Sequence, residues 1–230
     1  MTSKTKRFLG TVGIVTGLLM PFANAYAQSD DLSELTAQWW QWAISIPTTA
    51  NPLLDMTGGN CLVGQHGSVW FLAGNSGGTA TRQCSVPEGT ALFFPVANYV
   101  NINTPNVCGQ GPANQSVKFL RAQIAPLVNG FTKLEVDVDG KPSNGLVLVQ
   151  SEVFAVAMPA DNIFNAPCDG AGYGTVPAGI YSPAVDEGFY VSLKPFKAGS
   201  HTLHILAQNP SQSFALDVTY HLTVVPVLSK

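Results

Sequence analysis

The stretch Phe214–Val225, FALDVTYHLTVV, alternates without a slip. Phe214, Leu216, Val218, Tyr220, Leu222 and Val224 fall on one side, and Ala215, Asp217, Thr219, His221 and Thr223 on the other. Successive side chains leave a strand on opposite faces, so this segment is a strand with one buried and one solvated face. Such a strand cannot cover its own apolar side and needs a sheet plus a second layer. Other runs read the same way: SVWFLAG, TATRQCSV, TALFFPV, LEVDV, FYVSL and HTLHILA. The first three, separated by NSGG and a Pro-Glu-Gly turn, are expected to form an antiparallel meander. Residues 146–157 read as one long strand bent near Ser151-Glu152, and 159–187 as a long Gly/Pro loop. Asp139-Gly140 supplies a hairpin turn. The predicted fold is mainly β, an antiparallel β-sandwich of jelly-roll or Ig-like type with two short helices.

The first predicted helix covers 31–46. Asp31 caps it, Glu34 completes a capping box, and Pro47 stops it. Leu32, Leu35, Trp39, Trp42, Ala43 and Ile46 share its apolar face. Trp40 lies about 100° round from Trp39, which leaves it free to pack at a boundary or to meet a ligand. The second helix is expected over 115–125, capped by Asn114 and ended by Pro126.

Residues 1–27 read as a signal peptide: Lys4, Lys6 and Arg7, then an apolar stretch from Phe8 to Phe22, then Ala25-Tyr26-Ala27 before Gln28. The remainder, 28–230, fits a single domain, secreted or periplasmic, with no membrane span after cleavage. Cleavage removes three of the 11 basic residues and none of the 14 acidic ones. The mature chain is therefore acidic, which excludes a nucleic-acid partner held through phosphates. Four cysteines in an exported chain imply two disulfides. Three pairings are possible, and Cys61–Cys84 with Cys108–Cys168 is favoured because the second pair sits in two Gly/Pro/Asn-rich loops.

Few residue patterns carry chemistry. GNSGG at 74–78 resembles a serine-protease nucleophile loop but lacks the preceding aspartate, and a turn explains its glycines. The DxDG within 136–141 lacks the later ligands of a calcium loop. Matching faces place His204 beside Asp217 with His221 further along, a weak metal or proton-transfer candidate, while His201 shares the core face with Leu203 and Ile205. The carboxylates Asp55, Glu152, Asp161, Asp169, Asp186, Glu187 and Asp217 could supply a hydrolytic pair, but sequence does not place them. The loop 51–74 gathers Asp55, Asn60, Gln65, His66 and Trp70 around a cysteine. Trp40, Asn60, Gln65 and Trp70 are the candidate ligand-binding residues, and Asp55 and His66 the acid–base candidates. No cofactor is implied.

WWQWAISIP, NPLLDMTGGNCLVGQHGSVWFLAG, CSVPEGTALFFPV, AGSHTLHI and FALDVTYHLTVVP together resemble a family of exported bacterial proteins of unknown function, over about residues 38–226. AGSHTLHI is also similar to the strand opening of bacterial Ig-like modules. The resemblance implies export and transfers no activity. The expectation is a non-catalytic envelope or extracellular binding protein, with carbohydrate or an envelope component as partner. The alternatives are a small hydrolase of an extracellular polymer and a structural envelope protein.

Overall fold

A computed structural model describes residues 32–227. The leader 1–27 and the capping residue Asp31 lie outside the described residues. The element order is α1 (Leu32–Ser45), β1 (Val69–Phe71), β2 (Gly78–Pro87), β3 (Ala91–Ile102), α2 (Val117–Asn129), β4 (Lys133–Val138), β5 (Lys141–Pro142), β6 (Leu146–Gln150), β7 (Phe154–Met158), α3 (Asn165–Gly170), β8 (Gly179–Leu193), β9 (Gly199–Asn209) and β10 (Phe214–Val225). Among the described residues the protein is mainly β, with two five-stranded sheets and three α-helices rather than two.

The first sheet runs β1-β3-β8-β6, with β7 also paired to β8; the second runs β2-β10-β9-β4-β5. Both are mixed, which corrects the antiparallel expectation. β1 is parallel to β3, and β2 is parallel to β10. The expected β1–β2–β3 meander does not form, because β1 and β2 belong to different sheets. Period-two alternation tells which face of a strand is buried and is silent about which strand lies beside it.

Other boundaries move for local reasons. The strand expected over 146–157 is two strands, both paired to β8 and parted at Ser151–Val153. There Ser151 exchanges backbone and side-chain hydrogen bonds with Asp186, and Glu152 N donates to Ser33 O. The supposed loop 159–187 holds α3 and the first half of β8. Pro183 sits in β8 where the register with β7 is irregular, the setting in which a strand tolerates proline. α2 is capped by Ser116 and runs through Pro126 to bury Val128. The Asp139-Gly140 turn stands as read, with both residues at positive φ.

Leu92, Phe94 and Val191 of the first sheet share one apolar cluster with Leu203, Ile205, Val218 and Tyr220 of the second. α1 covers the opposite face of the first sheet, where Trp39, Trp42 and Ile44 meet Phe71, Phe93 and Tyr190. α2 closes the end that the second sheet does not reach, with Leu120 and Ile124 over Val185. Both favoured disulfides are present, Cys61–Cys84 and Cys108–Cys168.

One glycine fixes how closely β3 and β8 approach. Gly188 stands opposite Asn98, and a Cβ there would lie 2.4 Å from Asn98 Cβ and 2.6 Å from Ala97 O. Gly188→Ala is expected to cost about 2–3 kcal/mol in a urea titration; an unchanged midpoint would mean the two strands part there freely.

Candidate functional site

β3 is longer than its neighbour β1. Their register ends at Phe71 opposite Phe93, after which the chain turns away through Ala73 and Gly74. Among the described residues no other strand pairs with this side of β3 over Pro95–Tyr99. The edge left open faces a cleft of about 370 Å³. Trp39 and Trp40 line it from α1, Phe164 and Pro167 from the α3 region, and Phe131 and Phe214 from the second-sheet side. Trp39 and Trp40 meet edge to face with ring centroids 4.9 Å apart. Tyr99, Phe131 and Phe214 form a second aromatic row, with centroids 6.0 and 5.8 Å apart. The Cys108–Cys168 bridge anchors α3 beside this wall.

The cleft carries no charge. None of its lining residues is Asp, Glu, Lys, Arg or His, and Tyr99 is the one titratable group among them. Burial pushes the Tyr99 hydroxyl up, so it stays neutral. Its polar side chains are few: Asn75, Ser76, Asn98 and Tyr99. Asn75 Nδ2 is sealed from solvent and has no partner, while Asn75 Oδ1 accepts from Gly77 N. A buried amide donor without an acceptor is costly.

Beneath the cleft lies a buried acid. Asp186 is fully enclosed. Its Oδ1 accepts from Trp40 Nε1 at 2.6 Å and its Oδ2 from the Tyr190 hydroxyl at 2.8 Å. Tyr190 in turn accepts from Asn98 Nδ2 at 2.8 Å. Burial pushes the Asp186 carboxyl up to about 8, against the pull of the Trp40 and Tyr190 donors. Trp40 is thus neither an open platform nor plain packing: it is 8% exposed, walls the cleft and docks α1 onto a buried carboxyl.

A buried guanidinium holds the far rim. The Arg82 guanidinium donates to Ala73 O, Gly74 O and the Tyr220 hydroxyl, while its Nε donates to Asp55 O. These bonds pin the chain just before Asn75 and Ser76.

The other sequence candidates serve local structure. Asp55 accepts from Thr57 N and Oγ1 and from Asn60 N. Burial alone would raise its carboxyl, but those donors hold it below the ordinary value. Gln65 stands in for a strand at the edge of β1: its Nε2 donates to Phe71 O and its Oε1 accepts from Phe71 N. His66 is exposed and pairs with Gly64 O. Trp70 lies in the cluster between the sheets, with its Nε1 unpartnered. His204 does meet Asp217 (2.8 Å), and sequence reasoning missed Asp137 at 3.6 Å from its other nitrogen. His221 stands one row away, opposite Thr202 and Gln83. No group of three or more His, Cys, Asp or Glu among the described residues is placed to hold a metal ion. Of the ligand-binding, acid–base and metal candidates the cleft takes Trp40 alone; it also takes Gly74, Asn75 and Ser76 of the GNSGG stretch that was read as a turn. Asn98 and Tyr190 were not singled out, Asn75 was read only as part of a turn, and Asp186 was only one of seven carboxylates. The available signal was two consecutive acids inside an apolar run, AVDEGFYV.

No family model matches the chain, and no similar protein was found among curated proteins or solved structures.

Proposed function

We propose that this is a non-catalytic binding protein of an exported compartment, a two-sheet β-sandwich that holds a small, neutral, largely apolar molecule in the cleft beside β3. The observation that carries this reading is an aromatic-walled cleft without a single charged side chain. Small-molecule sites have this character, apolar walls with a few placed polar groups. A carbohydrate would ask for partners to many hydroxyls, and the side chains of Asn75, Ser76, Asn98 and Tyr99 are few against an otherwise apolar wall, so the ligand class moves from sugar to an apolar molecule with one polar end. Two disulfides fit a location outside the cytoplasm, and no helix of the described residues is long and apolar enough to cross a membrane.

A hydrolase has less support. Asp186 and Glu187 are consecutive in β8 and leave opposite faces, so they cannot share a substrate. Asp55 spends both oxygens on its own loop.

The test is a titration with the neutral fluorophore N-phenyl-naphthylamine, with anionic anilinonaphthalene sulfonate as comparison. Saturable binding of the neutral probe alone is expected. Ser76→Trp, at the exposed rim, should weaken it about tenfold or more, equivalent to about 1.4 kcal/mol, without moving the melting temperature. Equal binding by the variant would take the ligand out of this cleft.

A further inference from the structure

Trp40 and Asn98 both line the cleft, and both are hydrogen-bonded, one directly and one through Tyr190, to the same buried carboxyl. The direction of each bond is constrained by chemistry. An indole N–H only donates, so Asp186 Oδ1 must accept from Trp40 in every state. A proton on this carboxyl therefore belongs on Oδ2, the oxygen facing Tyr190.

When Asp186 is ionised, Tyr190 donates to it and accepts from Asn98 Nδ2. Asn98 Oδ1, which accepts from no described residue, is then left for the cleft. When Asp186 is protonated, Oδ2–H donates to the Tyr190 oxygen. The Tyr190 hydrogen must then turn to Asn98, which offers its Oδ1 and presents its Nδ2 to the cleft. Both arrangements keep the hydroxyl of Tyr190 donating and accepting, and they differ in what Asn98 shows a ligand.

We propose that Asp186 is a specificity-determining residue that sets, through Tyr190, whether Asn98 presents an acceptor or a donor to the cleft, so that the protein prefers a hydrogen-bond-donating ligand when Asp186 is ionised and an accepting one when it is protonated. This rests on the reading of the cleft as a ligand site. Burial of Asp186 brings its titration to about 8, within reach of ordinary conditions. The groups facing it are Trp40 from α1, Asn98 from β3, Tyr190 and Glu187 from β8, Ser151 from the β6–β7 connection, and Arg121 from α2, whose guanidinium reaches the Asp186 carbonyl at 3.5 Å and Ser151 O at 2.6 Å. Tyr190 is held far above its ordinary value by burial and stays protonated throughout. No lining group of the cleft itself changes charge in this range.

The experiment has two arms on the mature, disulfide-bonded protein. In the first, without ligand, the Asn98 side-chain amide and the Trp40 indole N–H are followed by NMR across pH. A shared midpoint is expected, absent in Asp186→Asn, whose side-chain amide donates to Tyr190 and fixes the relay in the protonated direction. An Asn98 amide that stays still while the Trp40 signal titrates overturns the proposal. In the second, naphthol and its methyl ether are titrated below and above the midpoint. The preference for naphthol is expected to grow about tenfold as pH rises, and to be flat in Asp186→Asn. A constant preference in the wild type also overturns it. If neither probe binds at any pH, the cleft reading fails, and the first arm still decides whether the relay turns.

Discussion

Arg82→Met is expected to cost about 2–6 kcal/mol of stability. The side chain is 1% exposed and all its acceptors are neutral. Methionine matches much of its length and none of its donors. Ala73 O would keep the Tyr220 hydroxyl, but Asp55 O and Gly74 O would lose their partners inside the protein. An unpartnered buried carbonyl costs about 1–3 kcal/mol. Arg82→Lys should recover little, because a single ammonium cannot reach three carbonyls lying in different directions. Urea titration with both disulfides intact measures this. A cost below about 1 kcal/mol in the methionine variant would mean that water replaces the guanidinium. The cleft should suffer too, since Asn75 and Ser76 follow directly on the pinned segment.

The second large effect is one of pH. The Asp186 carboxyl is raised from 3.8 to about 8 by burial, so the folded protein holds a proton that the unfolded chain releases. The contribution of this group is therefore greatest below about pH 4 and is lost as pH rises toward 8, by on the order of 5 kcal/mol in all. Asp186→Asn keeps an acceptor for Trp40 and a donor for Tyr190 without any charge to desolvate. Its melting temperature should fall less than the wild type's between pH 5 and 8, by on the order of 10 °C. Groups that titrate elsewhere, such as His201 raised by its bond to Asp139, are common to both proteins and cancel in the comparison. Parallel curves would show that Asp186 is ionised at no cost, compensated by Arg121 and its donors.

What could be read from sequence followed from local regularity. The α1 helix, the faces of β10, the Asp139-Gly140 turn and the favoured cysteine pairing all rest on spacing within a few residues or on loop composition. Partners are set by distant packing, which spacing does not encode. β1 and β2 therefore looked like a hairpin, yet Arg82 and Tyr220 draw the intervening glycine segment into the join between sheets. Trp40 was rightly separated from Trp39 by its angle on the helix. Its partner Asp186 was hidden because Pro183 and Gly188 made the strand around it resemble a loop. Gln65 looked like a ligand-seeking amide, and it is the backbone of Phe71 that uses it.

β10 lies one strand in from the edge of its sheet, between β9, which directly precedes it, and the edge strand β2, which is formed from residues more than a hundred positions earlier in the chain. β2 has no other strand partner among the described residues. A nascent chain that has completed everything up to β9 still lacks the strand that joins β2 to the rest of this sheet, and Arg82 still lacks the Tyr220 hydroxyl. Closure of this sheet is thereby deferred until Phe214–Val225 has been made, which places its last pairing step at the end of the described chain.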